Sequence, residues 1–328
     1  MTGEITIHRA GMLATIQDAG RHGMLRHGVS SSGAVDQQAY AIANALVGNA
    51  QGAAVIEYAM VGGSFSVDRD CLVAVTGGEC ALTIGGKTAR PWESHRVRRG
   101  EQVTIDPLKG ATWGYIAVSG GIEVPVVLGS RSTHLRFGMG GLEGRVLADG
   151  DRLPLGPEPD GSPLKMTSVL PRPDAPVRVV PGPQDDYFTP DMLHVFFSRP
   201  FAPGPMRDRM AMILEGPQLT AAHGHDIVSD GTRAGSIQVP LSGRAIVLMA
   251  DSQTTGGYPK IATVISADFP RLAQMPTGQT FLWRRVTADH AEELALAARR
   301  RLEEIVATLA PSQPVGGGKR HRKETRAP

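Results

Sequence analysis

The chain has 328 residues, and its 34 Lys and Arg balance 32 Asp and Glu to a net charge of +2, which gives no reason to invoke nucleic acid as a partner. Two cysteines, Cys71 and Cys80, show no CxxC spacing, so neither a disulfide framework nor a zinc site is implied and a reducing cytoplasm fits best. The start at Met1-Thr2-Gly3-Glu4-Ile5 has no basic stretch followed by an apolar core, and no run approaches the ~18 apolar residues of a spanning helix; a soluble, cytoplasmic protein with no membrane contact is expected.

Forty glycines, 24 prolines and few amphipathic patterns predict a mainly β protein with many turns. The stretch 36–47 is a helical exception, with Ala39, Tyr40, Ala43, Leu46 and Val47 on one face. Strand-like runs follow at 72–76, 81–84, 102–105 and 113–118, and another at 177–180. The proline-rich segment 156–176 separates them, so two β domains are expected at 1–165 and 175–288. Residues 189–197 read as a short helix opened by Thr189-Pro190.

Past the second β unit, a C-terminal helix is expected within 289–310. Asp289 is its N-cap with Glu292 three residues on, and Ala291, Ala295, Ala298, Leu302, Ile305 and Leu309 form one apolar seam. That seam docks on its own domain, or alternatively on another chain. Gly316-Gly317-Gly318 and the charge run after it make 311–328 a disordered basic tail, with an anionic partner as the alternative role. A strand meeting Gly77-Gly78 in the first half and another leading to Gly256-Gly257 in the second suggest a faint internal duplication.

Several familiar patterns fail. The stretch 81–88 nearly reads as a phosphate loop, but Ala81 replaces the first glycine and no helix pattern follows Thr88, so it is a hairpin turn. Residues 138–144 lack the dinucleotide spacing, and without a GxSxG elbow Ser30, Ser31 and Ser32 are unsupported as nucleophiles. His223 and His225 read as solvated loop histidines rather than metal ligands, and no metal is expected.

What remains is a set of Gly-flanked polar loops. The foremost is 253–259, Gln253-Thr254-Thr255-Gly256-Gly257-Tyr258-Pro259, held between the apolar runs 245–250 and 261–265. Gly256 and Gly257 let a ligand approach the main chain. Ser31 to Gln37 opens the first helix, where Gly33 and Ala34 are expected to leave amides open to an anion, with a plain Asp36 cap as the alternative. Arg131 and Ser132 suit a carboxylate or phosphate, or else an ordinary surface ion pair. Asp230 adds a carboxylate and Gln238 a side-chain amide. Amides such as Gln238 and Gln253 match a substrate edge that carries both N–H and C=O, as in ureas, lactams and the ureido ring of biotin. A nearby carboxylate could act as a base and backbone amides could hold an oxyanion.

The motifs at 15–21 (TIQDAGR), 32–36 (SGAVD), 44–49, 74–78 (AVTGG), 128–133 (LGSRST), 140–145 (GGLEGR) and 253–259 (QTTGGYP), taken in order, closely resemble the KipA family, also called allophanate hydrolase subunit 2 or the biotin-dependent carboxyltransferase A/B family. The resemblance runs from about residue 10 to 287. It implies two cyclophilin-like β-barrel domains with a site between them, and places Thr76 and Gly77 among the substrate-binding residues with Gly33, Ala34, Ser132, Gln238, Thr255, Gly256, Gly257 and Tyr258. Asp36, Arg131, Asp230 and Gln253 are the catalytic candidates. The function implied is that of the C subunit in an ATP-dependent 5-oxoprolinase, with ATP used by the complex and with a KipI-like B subunit and a protein like the A subunit as partners. The alternatives are a carboxyltransferase that uses the biotin of a partner on a urea-like substrate, and a regulatory KipI-binding module without chemistry. The family often has a proline pair where Ser31 and Ser32 stand and a Glu where Asp230 stands, which puts the reach of the Asp230 carboxylate in question.

Overall fold

The computed structural model describes residues 3–159, 161–168, 170 and 172–312. The basic tail expected at 311–328 falls, from 313 on, outside the described residues. The molecule is mainly β, as expected, with a few short helices and one long C-terminal helix.

The first half builds two antiparallel sheets. One has six strands in the order Arg152–Leu155, Gly3–Arg9, Val61–Val67, Gln102–Pro107, Leu82–Ile84 and Lys87–Ala89. The other has five, Thr15–Gln17, Val55–Ala59, Trp113–Val118, Cys71–Thr76 and Ser94–Val97. The turn joining Leu82–Ile84 to Lys87–Ala89 is Gly85-Gly86, both at positive φ (55° and 76°), so the phosphate-loop lookalike is the hairpin its sequence suggests.

Strand Trp113–Val118 explains how one sheet serves two cores. All six of its residues are buried, and because successive side chains alternate faces, Ile116 and Val118 join Ile5, Phe65, Val73 and Val103 between the two sheets. Trp113, Tyr115 and Ala117 point the other way, into a second core shared with helix α1 (Gln37–Leu46) and with Val177, Phe196, Val247 and Trp283 of the second half. Each such large side chain withdrawn from water contributes about 1.5–3 kcal/mol, so the halves are joined by apolar packing as well as by the chain.

The second half is one seven-stranded sheet in the order Ala202–Arg207, Ala211–Glu215, Ile246–Leu248, Ser236–Gln238, Lys260–Val264, Val177–Pro181 and Trp283–Arg285, antiparallel except for the last pair. Helix α2 (Pro190–Ser198) starts at the Thr189 cap as expected. Helix α3 (Phe269–Gln274) is too short to leave a periodic trace. The two Gly-Gly pairs that suggested a duplication differ locally: Gly77 is at φ 105°, whereas neither Gly256 nor Gly257 is in the left-handed region.

Helix α4 (Ala288–Ala307) docks on its own chain. Ile305 is buried against the second core, with Leu302 and Leu309 packed beside it. Its start corrects the expected Asp289 cap: Thr287, in an extended conformation, accepts the His290 N–H through its hydroxyl, and Asp289 already lies in the first turn. No helix among the described residues is long and apolar enough to cross a membrane.

Candidate functional site at the junction of the two halves

The loop 253–259 is clamped rather than free. Thr232 donates its N–H to Thr254 O (2.9 Å) and its hydroxyl to Gln253 O (2.5 Å), Ile227 N–H reaches Gly257 O (2.8 Å), and Val239 N–H reaches Pro259 O (3.1 Å). Thr255 and Gly256 also pair antiparallel with Gly231 and Asp230, which brings three candidates, Asp230, Thr255 and Gly256, onto one ladder. Tyr258 stands exposed at the end of the loop.

Two side-chain amides meet here. Gln253 donates from Nε2 to Gln238 Oε1 (3.4 Å), and Gln238 is buried with its own Nε2 lacking a partner among the described residues. The glycine at 256 makes that arrangement possible, since a Cβ there would stand 2.5 Å from Gln238 Nε2. Leaving a buried donor unpaired costs about 1–3 kcal/mol, so this amide is the feature of the corner that most asks for a ligand.

Asp230 is engaged. Its Oδ2 accepts from the buried Lys260 ammonium (2.9 Å) and from Gln184 Nε2 (3.3 Å), and the Lys260 hydrogen bond holds its carboxyl below the usual Asp range. It is therefore ionised at neutral pH and already paired.

Of the first-half candidates, Arg131, Ser132 and Ala34 gather around Asp18. Its carboxylate accepts from Ser130 Oγ, Ser132 Oγ and the Arg131 N–H, each at 2.6 Å, and from Gly20 N–H (2.8 Å). The Arg131 guanidinium turns away to Glu123 (2.5 Å) and Val124 O (3.0 Å). The expected open amides before α1 are occupied: Ala34 N–H donates to Asp18 O, Val35 N–H to Glu57 Oε2 and Asp36 N–H to Tyr115 Oη. Burial is the reason, since that turn lies inside the protein and its donors must be satisfied internally.

Asp36 is the cap of α1, accepting from the amides of Gln38 and Ala39, and its other oxygen accepts from Arg172 (2.6 Å) and Gln274 (3.0 Å). Thr76 ties its strand to that helix by donating to Ala39 O (2.8 Å). Gly77 lies on a separate open depression with Trp92 and Lys109. Among the described residues, Asp36, Thr76 and Gly77 thus share no hydrogen bond with the Gln253 loop.

Arg209, which sequence reasoning passed over, joins the two groups. Its guanidinium, 3% exposed, pairs with Glu57, donates to both oxygens of Asp251 (2.9 and 2.8 Å), and reaches Gln17 Oε1 (3.2 Å) and Gly33 O (2.8 Å). Ser32 Oγ adds a bond to Asp251 (2.7 Å). Burial works against the guanidinium charge, and Asp251 and Glu57 outweigh it, so Arg209 holds its proton more tightly than usual. One trace was legible: Glu57 sits inside the apolar run Val55–Ala59, and a carboxylate in a buried strand requires a partner. Beside this network is a cavity of about 190 Å³ whose lining includes Ser30, His134, Asp251 and Gln253.

Comparison with known proteins agrees with this architecture. Residues 27–285 match the family described as carboxyltransferase domain, subdomain A and B. The chain is 37% identical over 304 residues to the C subunit of 5-oxoprolinase from Escherichia coli K12, covering 92% of this chain and 97% of that protein. It is 35% identical over 287 residues to the corresponding 5-oxoprolinase C subunit of Haemophilus influenzae, covering 86% and 91%. The crystal structure of Kluyveromyces lactis urea carboxylase superimposes with a TM-score of 0.85 at 25% identity, over 92% of this chain but only 29% of that one. The chain belongs to the carboxyltransferase domain, subdomain A and B family.

Proposed function

We propose that this chain is the C subunit of an ATP-dependent 5-oxoprolinase, in which it holds the lactam that is opened to glutamate. The observation that carries the reading is the Gln238–Gln253 pair. The unpartnered Gln238 Nε2 offers a donor to a lactam C=O, and the Gln253 carboxamide supplies an acceptor for the adjacent N–H. Gly256 leaves room for the Gln238 amide beside the loop, and the Asp230–Lys260 pair fixes the opposite strand of the small ladder. Asp36 and Arg131, whose groups are spent on caps and ion pairs, serve the framework in this reading. ATP is assigned to the complex, with a KipI-like B subunit and a protein like the A subunit as partners, a reading supported by the similarity to proteins named as one subunit of a 5-oxoprolinase.

A second reading, a carboxyltransferase that works with the biotin of a partner on a urea-like substrate, is favoured by the similarity to urea carboxylase. Urea and the biotin ureido ring present the same N–H and C=O edge to the two amides. The test is glutamate release from 5-oxoproline and ATP by this chain with its partner subunits, omitting each in turn and repeating with avidin. Release that requires this chain and ignores avidin is expected. Avidin-sensitive carboxylation of urea without glutamate release would replace the first reading with the second.

A further inference from the structure

Two residues on the lining of the cavity beside Gln253 each carry a polar atom that the fold leaves unpaired. Ser30 and His134 are 3% and 1% exposed, both line the cavity of about 190 Å³, and neither Ser30 Oγ nor His134 Nε2 has a hydrogen-bond partner among the described residues. The two stand 104 residues apart in sequence (134 − 30), so no local turn explains why both are left open on one cavity. Buried polar groups are normally paired, so two left open on one cavity are costly unless something bonds to them.

The ring of His134 is oriented from both sides. Its Nδ1 accepts the Phe137 N–H (3.4 Å), and the Phe137 ring stacks on it with centroids 4.3 Å apart and 22° between planes. A neutral imidazole that accepts at Nδ1 carries its proton on Nε2, so the open atom is a donor. Burial lowers the affinity of the ring for a second proton; Asp251 opposes this, and Arg209 and Arg21 reinforce it. The two lining residues therefore supply an imidazole N–H and a hydroxyl, both suited to oxygen acceptors.

Its lining carries one acidic and one basic side chain, Asp251 and Arg136. Asp251 lines the cavity, but its oxygens are already bound by Arg209 and Ser32. Arg136, also on the lining, is exposed, and its one polar contact among the described residues is the sulfur of Met210 at 3.9 Å. The volume is below the ~300–1,000 Å³ of pockets for drug-sized ligands, so the occupant is small.

We propose that this cavity is a binding site for a small carboxylate, whose oxygens accept from His134 Nε2 and Ser30 Oγ while Arg136 supplies the countercharge at the edge. The site deepens the lactam reading above and rests on it only for which carboxylate is bound. On that reading, 5-oxoproline spans from the carboxylate site to Gln253, whose side chain lines the same cavity. A neutral urea leaves the carboxylate site unused.

The test is calorimetric binding of 5-oxoproline, 2-pyrrolidinone, acetate and glutamate to the full chain, alone and with its partner subunits. Ser30→Ala and Arg136→Gln are the variants, since the first removes only a hydroxyl and the second an exposed charge; His134→Gln is a third, with melting followed in parallel. Binding of 5-oxoproline is expected to weaken about tenfold or more in each variant, and 2-pyrrolidinone, which lacks the carboxylate, to bind weakly and indifferently to Arg136→Gln. Unchanged affinity in Ser30→Ala and Arg136→Gln, equal affinity for 2-pyrrolidinone, or no carboxylate binding with or without partners would overturn the proposal. Acetate or glutamate bound with this dependence, but without turnover of 5-oxoproline, would sustain the site and sink the lactam reading. Turnover indifferent to all three variants would do the reverse.

Discussion

Arg209 reaches out of the second half of the chain to Glu57 in the first, across 152 positions of sequence, with side chains 3% and 0% exposed. The same guanidinium holds Asp251, which directly precedes Ser252 and Gln253 of the candidate site. An ion cluster this deep gains little over apolar packing while intact, but removing one member strands the others in a medium that cannot solvate them.

Arg209→Met is therefore expected to lower stability by about 3–5 kcal/mol, read from urea unfolding. It should also loosen the halves, seen as faster amide exchange in the turn before α1, where Val35 N–H depends on Glu57. A loss below about 1 kcal/mol would mean that apolar packing alone sets the junction.

Gly256→Ala separates site from scaffold. Its φ is outside the left-handed region, so the backbone accepts alanine, and the atom in the way at 2.5 Å is the end of a flexible glutamine. Stability is expected to change by less than about 1 kcal/mol, while displacement of the Gln238 amide lowers kcat/KM by about 10-fold or more. Wild-type kinetics would place substrate elsewhere.

Asp268 gives the acid branch of stability. Burial raises its carboxyl pKa, but the hydrogen bonds from Arg178 (2.5, 2.8 and 3.0 Å) outweigh it and leave Asp268 below the usual Asp value. A group depressed in the folded state stabilises above its unfolded pKa and loses that contribution as pH falls through the folded one. The gap in Tm between wild type and Asp268→Asn should thus be widest near neutrality and shrink as pH drops below about 4. A gap independent of pH would assign the effect to packing.

Ile305→Ala tests the docking of α4. The side chain is buried in the core shared by the two halves, and its truncation should cost about 2–5 kcal/mol, measured by denaturant unfolding. Activity per folded molecule should be retained, because α4 contributes nothing to the Gln253 corner.

Much of this was legible where the pattern is local. Helix α1, its Asp36 cap and its buried face follow from 3.6-residue periodicity, and the clamped loop at 253–259 follows from polar residues between two apolar runs. The cap of α4 was misread because Asp289 and Glu292 match the spacing of a capping box, whereas the choice of Thr287 is made by the extended backbone arriving from strand Trp283–Arg285. Arg209 and His134 left no local signal, since their meaning comes from residues far away in sequence. The amides of Ala34 and Val35 look open in the sequence because their acceptors, Asp18 O and Glu57, come from other segments of the first half.

The most direct measurement is ATP-dependent glutamate release by the reconstituted complex carrying Gln253→Ala, with unfolding followed on the same preparation. Gln253 is exposed and its side chain bonds only Gln238 among the described residues, so folding should be unaffected while turnover falls about 10- to 100-fold. Turnover equal to wild type would contradict the claim that the paired amides hold the substrate.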